Sequence, residues 1–353
     1  MEKKTKAKSS KGGLFSKLLG LSDTNMLLLI TIVVFVIMYL FAVIVLGQGF
    51  RTAQGFLNIL NANAALIILA CGLSVVMITG GIDISVGGVT GLITMCCAVW
   101  LDQKGGNVLT SMLLALLIGL IFGVVQGYLV AYLQIQPFIV TLAGMIFARG
   151  LTSIINANPF NVENAEFVAL KDTRVVIPGL GYYNKLGRYI DAYVEVGVLI
   201  AIAVVILMFL LLKFTKLGRA FYAVGGNQQS ALMLGINVKR TRFMAQLICG
   251  VLAGIGGYVY FLHVGAGAVT NASGAEMNAI ASSIIGGTML TGGVGNIIGT
   301  LFGVLSLGTI QDIVHSAGFT DAWWTGITIA AMLCFFIVLQ SVLMKAKARR
   351  KQK

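Results

Sequence analysis

The chain has 353 residues, 58% of them hydrophobic and only 10% charged, with a mean hydropathy of +0.94; a soluble domain carries roughly a quarter charged residues. That balance excludes a soluble catalytic domain, and at about 20 apolar residues per crossing the length holds about ten membrane spans with short connections. The net charge of +13 sits in basic clusters with no interleaved aromatic residues, which argues against nucleic acid and for topology determinants beside anionic membrane lipid.

The segment 1–25 is a basic tail carrying Lys3, Lys4, Lys6, Lys8, Lys11 and Lys17. The apolar run 26–46 behind it is too long for a signal-peptide core and has no small-x-small cleavage site, so it reads as a retained first span. Runs at 56–79, 84–101, 108–133 and 137–156 are predicted as the next four spans. A balanced, mixed-charge loop at 157–191 precedes a sixth span at 192–212. A second basic cluster, Lys213, Lys216, Arg219, Lys239, Arg240 and Arg242, surrounds the loop 213–240. Spans at 241–262, 278–290, 294–314 and 323–344 complete ten crossings, and Lys345, Lys347, Arg349, Arg350, Lys351 and Lys353 mark the tail 345–353. Even parity and the charge clusters together put both termini and 213–240 in the cytoplasm, with 157–191 outside. The membrane-embedded permease region is 26–344, and the fold class is all-α and polytopic.

Two glycine-rich interruptions share Met-x-Thr-Gly-Gly: Met77-Ile78-Thr79-Gly80-Gly81 and Met289-Leu290-Thr291-Gly292-Gly293. Irregular backbone at membrane depth persists only inside protein or beside a cavity, and interrupted segments in corresponding places point to internal repeats around a central pathway. Within 213–240, Asn227 is placed to cap a short helix and Gly235 to end it, leaving Ala231, Leu232 and Leu234 for a partner. The five cysteines lie in apolar runs without metal or redox spacing, and His263 and His315 lack a third ligand, so no metal site is expected. No nucleophile–base or carboxylate pair stands out, so no catalytic residue is expected.

The motifs Thr79-Gly80-Gly81-Ile82-Asp83-Ile84-Ser85-Val86-Gly87, Ile135-Gln136-Pro137-Phe138-Ile139-Val140-Thr141-Leu142 with Ala148-Arg149-Gly150, Ala223-Val224-Gly225-Gly226-Asn227 with Gly235-Ile236-Asn237-Val238, and Ile285-Gly286-Gly287-Thr288 occur in that order. Together they resemble the permeases of ABC importers of the ribose/galactoside class, and the segments Gly308-Thr309-Ile310-Gln311 and Trp323-Trp324-Thr325 are most similar to a galactofuranose-type permease subunit. The resemblance implies the ABC-importer permease fold in a bacterial plasma or inner membrane. It also implies import of a monosaccharide (galactofuranose-, ribose- or fructose-like) delivered by a periplasmic or lipid-anchored sugar-binding protein, with a second permease completing a heterodimer or homodimer. A cytoplasmic ABC ATPase would use the ATP and grip a coupling helix built on Gly226, Asn227, Ser230, Ala231, Leu232, Leu234 and Gly235. The chain itself has no G-x-x-x-x-G-K-[ST] phosphate loop, so energy is expected through contact and no cofactor is expected in this chain. A nucleoside or other small solute, or an ATPase-independent secondary transporter, are the alternatives.

Candidate pathway residues are Asp83, Arg149, Asn61, Glu276 and Asn278. Asp83 either caps the helix after it or lines the route. Arg149 either snorkels or turns inward to meet Asp83 or a sugar hydroxyl. Asn61, Glu276 and Asn278 either satisfy helix ends or line a vestibule.

Overall fold

The computed structural model describes residues 22–47, 49–183, 189–318 and 322–351. The basic tail up to residue 21, Lys185, Arg188 and Lys353 lie outside these described residues. In chain order the elements are α1 (Asp23–Val45), α2 (Ala53–Ile78), α3 (Ser85–Asp102), α4 (Val108–Ala131), α5 (Pro137–Ile155), β1 (Phe160–Asn161) and α6 (Ala165–Lys171). Then come β2 (Arg174–Tyr183), β3 (Tyr189–Glu195), α7 (Val196–Phe214), α8 (Lys216–Gly226), α9 (Gln228–Met233), α10 (Val238–Val264) and β4 (Ala266–Gly267). The series ends with α11 (Ala275–Ile285), α12 (Ile297–Ser316) and α13 (Ala322–Lys351). Nine of these helices, all but α6, α8, α9 and α11, are long and apolar enough to cross a membrane.

Helix starts follow local chemistry. Ser22, Thr52 and Asn107 each accept a hydrogen bond from a first-turn amide, Asn107 within a capping box with Thr110, and Pro137 occupies the first turn of α5. The long helices form a bundle with α2 and α3 at its centre, where Ile68, Leu73, Met77 and Ile93 are buried. Peripheral helices turn Ile37, Ile44, Leu113, Ile146 and Val338 outward, an apolar surface suited to hydrocarbon and costly in water. Where α4 crosses α10, Gly119 and Gly123 face Gly250 and Gly254 so closely that a Cβ at Gly119 would overlap the Gly250 carbonyl. Small residues spaced by four permit this approach of two backbones.

The bundle has two ends. At one, β2 and β3 form an antiparallel hairpin, tied to α2 by Gln54, which accepts from the Tyr193 amide at 2.8 Å. The expected loop 157–191 is thus folded, with β1 pairing to β4 and the short helix α6 following β1. The other end carries α8 and α9. The start of α1 lies there too, because Met26 and Leu27 pack with Met289, Val294 and Leu339. Leu339 brings the second half of α13 to the same place, and α13 continues as helix through Lys351, beyond the expected boundary at 344.

The expected span 278–290 is corrected. Its helix is α11, eleven residues from Ala275 to Ile285, only about 16 Å long at 1.5 Å per residue. Glycines at 286, 287, 292 and 293 stop it early and belong to a turn at the α8–α9 end. Residues 265–274 complete the crossing as irregular chain: β4 lies at the hairpin end, and Asn271 reaches Gly91 in the middle of α3. Gly91 is eleven residues from Asp102, about 16 Å into the bundle.

Candidate functional site

Irregular backbone inside a membrane bundle needs internal hydrogen-bond partners, and Arg149 of α5 supplies them. Its Nη1 donates to the Asn271 carbonyl at 2.6 Å and the Val269 carbonyl at 3.3 Å, and its Nη2 to the Ala272 carbonyl at 2.8 Å. Arg149 is therefore a fork on the unwound segment; it neither snorkels nor reaches Asp83. A guanidinium suits this task because its donors are fixed in one plane.

Asp83 is 2% exposed. One carboxylate oxygen accepts from the Ser85 amide at 2.9 Å and the Ser85 hydroxyl at 2.6 Å, and the other accepts from Nε2 of Gln246 on α10 at 2.7 Å. The Ser85 hydroxyl is also 3.1 Å from Oε1 of Gln126 on α4. Asp83 caps α3 and fastens three helices, so it carries no open face toward a route. Asn61 accepts from the Glu195 amide at 3.0 Å and secures the start of α7. Glu276 is buried with Oε2 against Gly87 of α3 and without a hydrogen-bond partner.

Of the expected pathway residues Asn278 faces a large cavity, whereas Asn61 borders only a space of about 10 Å³ beside Glu195 and His263. The large cavity, about 730 Å³ between α11, α12 and α13, also receives Ser273, Gln311, His315 and Thr325. Sequence reasoning missed the last four. The usable signal is the pair Gln311 and His315, four residues apart on one helix face. Among the described residues no group of three metal-ligating side chains occurs.

At the opposite end, Asn227 accepts from the Ser230 amide at 2.8 Å and Gly235 has φ 78°. Leu232, Met233 and Leu234 are 62%, 81% and 78% exposed, whereas Ala231 is 2% exposed. Ala231 was expected to face a partner; instead it packs with Val224 and Val238 and anchors α9, while Met233 joins the exposed apolar tip. Gly226 lies at the end of α8, and Ser230 is exposed.

The two Met-x-Thr-Gly-Gly segments meet directly beneath this helix. The Gly293 amide donates to the Ile78 carbonyl at 2.9 Å, and Gly292 and Gly293 hold φ of 85° and 76°, a region that side chains with a Cβ rarely enter. A Cβ on Gly225 would overlap the Ile78 carbonyl oxygen. The Tyr222 hydroxyl donates to the Gly295 carbonyl at 2.9 Å, and burial pushes its phenol up to about 12. The backbone just before α9 is thus wedged between the loop preceding α3 and the loop following α11.

Comparison with known proteins agrees with this architecture. Residues 55–337 match the family described as the branched-chain amino acid transport system / permease component. The inner membrane ABC transporter permease protein YjfF of Escherichia coli K12 is 37% identical over 316 residues, covering 90% of this chain and 92% of its own length. The fructose import permease protein FruG of Bifidobacterium longum is 34% identical, covering 92% of this chain and 93% of its own. The ribose import permease protein RbsC of Escherichia coli K12 is 31% identical, covering 77% and 81%. No solved structure matches the chain. With nine apolar helices around a broken tenth segment, and with relatives of this kind along most of its length, the chain is a multi-pass membrane protein that belongs to the family of ABC-transporter permease components.

Proposed function

We propose that this chain is the membrane-spanning subunit of an ATP-driven importer of a monosaccharide of galactofuranose, ribose or fructose type, in a bacterial inner membrane. The observation that carries the reading is the exposed tip of α9, Leu232, Met233 and Leu234, joined through Gly225 to both broken segments. Burying two such leucines in a partner's groove is worth about 1.5–3 kcal/mol each, enough to hold a helix that must move with an ATPase. Lys213, Lys216, Arg219, Lys239, Arg240 and Arg242 cluster in the sequence around α8 and α9, which supports a cytoplasmic location for that end and for both termini. The hairpin end would then receive a solute-binding protein, and a second permease, identical or not, would cover part of the outward apolar surface. The fructose and ribose importers among the relatives favour a sugar; an amino acid, as in the family's description, is the competing solute.

Replacing Leu232 and Leu234 together with Asp tests the coupling. The double variant inserts normally, no longer retains the ATPase on purification, and loses ATP-dependent uptake. Normal uptake by it would refute the assignment of α9.

A further inference from the structure

We infer that the cavity between α11, α12 and α13 is a binding site for a neutral, polyhydroxylated solute on the translocation route. The inference rests on the importer reading and names where in this chain the solute is held.

The cavity starts near the hairpin end, beside Thr325 in the first turns of α13, and extends past Ile280 on α11 to Leu333. Leu333 lies eleven residues into α13, about 16 Å from its start, so the space reaches roughly half-way through a membrane about 30 Å thick. Its volume of about 730 Å³ is within the range of small-molecule sites. Unlike Glu276, Ser282 and Thr288, whose unpartnered oxygens are enclosed in packed interior, polar groups here lack protein partners beside an open space. Asn278 and Gln311 have no side-chain hydrogen bond among the described residues, and Thr325 Oγ1 is buried with none. Asp312 adjoins them on an exposed stretch of α12. Amides and a carboxylate facing hydrocarbon on a spanning helix are expensive, so this face requires a hydrogen-bonding occupant: water, then solute.

The chemistry selects the solute class. Each carboxamide offers donors and an acceptor in one plane, the pattern that satisfies adjacent hydroxyls, and Ser273 adds a group that both donates and accepts. Met277, Ile329 and Leu333 supply an apolar side for the carbon face of a ring. His315 is the one lining side chain that can carry positive charge, and no Lys or Arg lines the cavity, so a carboxylate finds no fixed bidentate cation. The start of α11 would attract an anion, but Glu276 already places a carboxyl group in its first turn. An amino acid is therefore disfavoured and a sugar favoured.

The test uses the assembled importer in intact cells, with the exposed Cys334 replaced by Ser and Ala330→Cys, on the apolar side of the cavity, introduced. Reaction with a membrane-impermeant, positively charged methanethiosulfonate is compared with that of Ile337→Cys, on the outward apolar face of α13. The expected result is labelling of Ala330→Cys about tenfold or more faster, slowed several-fold by a mixture of D-ribose, L-arabinose, D-fructose and D-galactose and not by L-leucine. Labelling no faster than at Ile337→Cys, labelling that the sugars leave unchanged, or equal protection by leucine would each overturn the inference. Labelling needs no ATP, so it reports on the cavity independently of the Leu232/Leu234 variant, whose failure would instead remove the importer reading.

Discussion

Two sets of polar side chains lie inside this bundle, and they behave differently. Around Asp83, Ser85, Gln126 and Gln246 nearly every donor and acceptor meets another, within 2.6–3.4 Å. In the cavity, Asn278 and Gln311 face open space. Both sets carry the cost of placing polar groups in a membrane. The first recovers it by fastening α3, α4 and α10 together; the second recovers it only from something that enters. Polarity at membrane depth therefore does not by itself mark a route, and neither does a missing partner, since Glu276, Ser282 and Thr288 are unpartnered in packed interior; a missing partner beside an open space does.

That contrast is open to attack by substitution. The largest effect is expected from Arg149→Leu, which removes three hydrogen bonds to the unwound segment and leaves the Ala272 carbonyl only the Ala275 amide. Hydrogen bonds to a charged group contribute about 1.5–3 kcal/mol each and three are lost, so the purified protein should unfold at a clearly lower temperature in detergent, with Arg149→Lys recovering only part. Asp83→Ala comes next. It strands the Ser85 amide and Gln246 at about 1–3 kcal/mol each, and should lower thermal stability while Asp83→Asn lowers it less. Gln311→Leu should reverse the pattern: stability within about 0.5 kcal/mol of wild type, as for a substitution away from packed contacts, with sugar uptake down about tenfold, or 1.4 kcal/mol. A stability loss at Gln311 as large as that at Asp83 would erase the distinction. The smallest effect is expected at the hairpin end from His263→Ala. It removes a 2.8 Å contact with Glu195 between side chains 39% and 31% exposed, and pairs this open to solvent contribute about 0–1 kcal/mol, so neither melting nor uptake should change appreciably.

Much of the architecture was legible because hydropathy and length define spans without tertiary information. The caps of α9 were legible for a similar reason, since Asn227 and its acceptor range are local. The rest depends on contacts between residues far apart in sequence. Arg149 meets carbonyls more than a hundred positions away, and nothing in Ala148-Arg149-Gly150 distinguishes a fork from a snorkelling side chain. Ala231 reads as one more residue of an exposed turn until Val224 and Val238 close over it. The run 278–290 has the hydropathy of a span, but its glycines end the helix at Ile285. The shared Met-x-Thr-Gly-Gly was visible as a repeat; that its two copies touch, with Gly225 beside them, was not.

The central claim is that solute crosses this chain only when a nucleotide-driven partner moves α9. It is tested most directly by reconstituting the purified permease into proteoliposomes, with and without its ATPase, and following a labelled sugar offered with its binding protein. The account predicts uptake only when the ATPase and ATP are both present, and none from the permease alone under a proton or sodium gradient. Accumulation by the permease alone, driven by such a gradient, would contradict it.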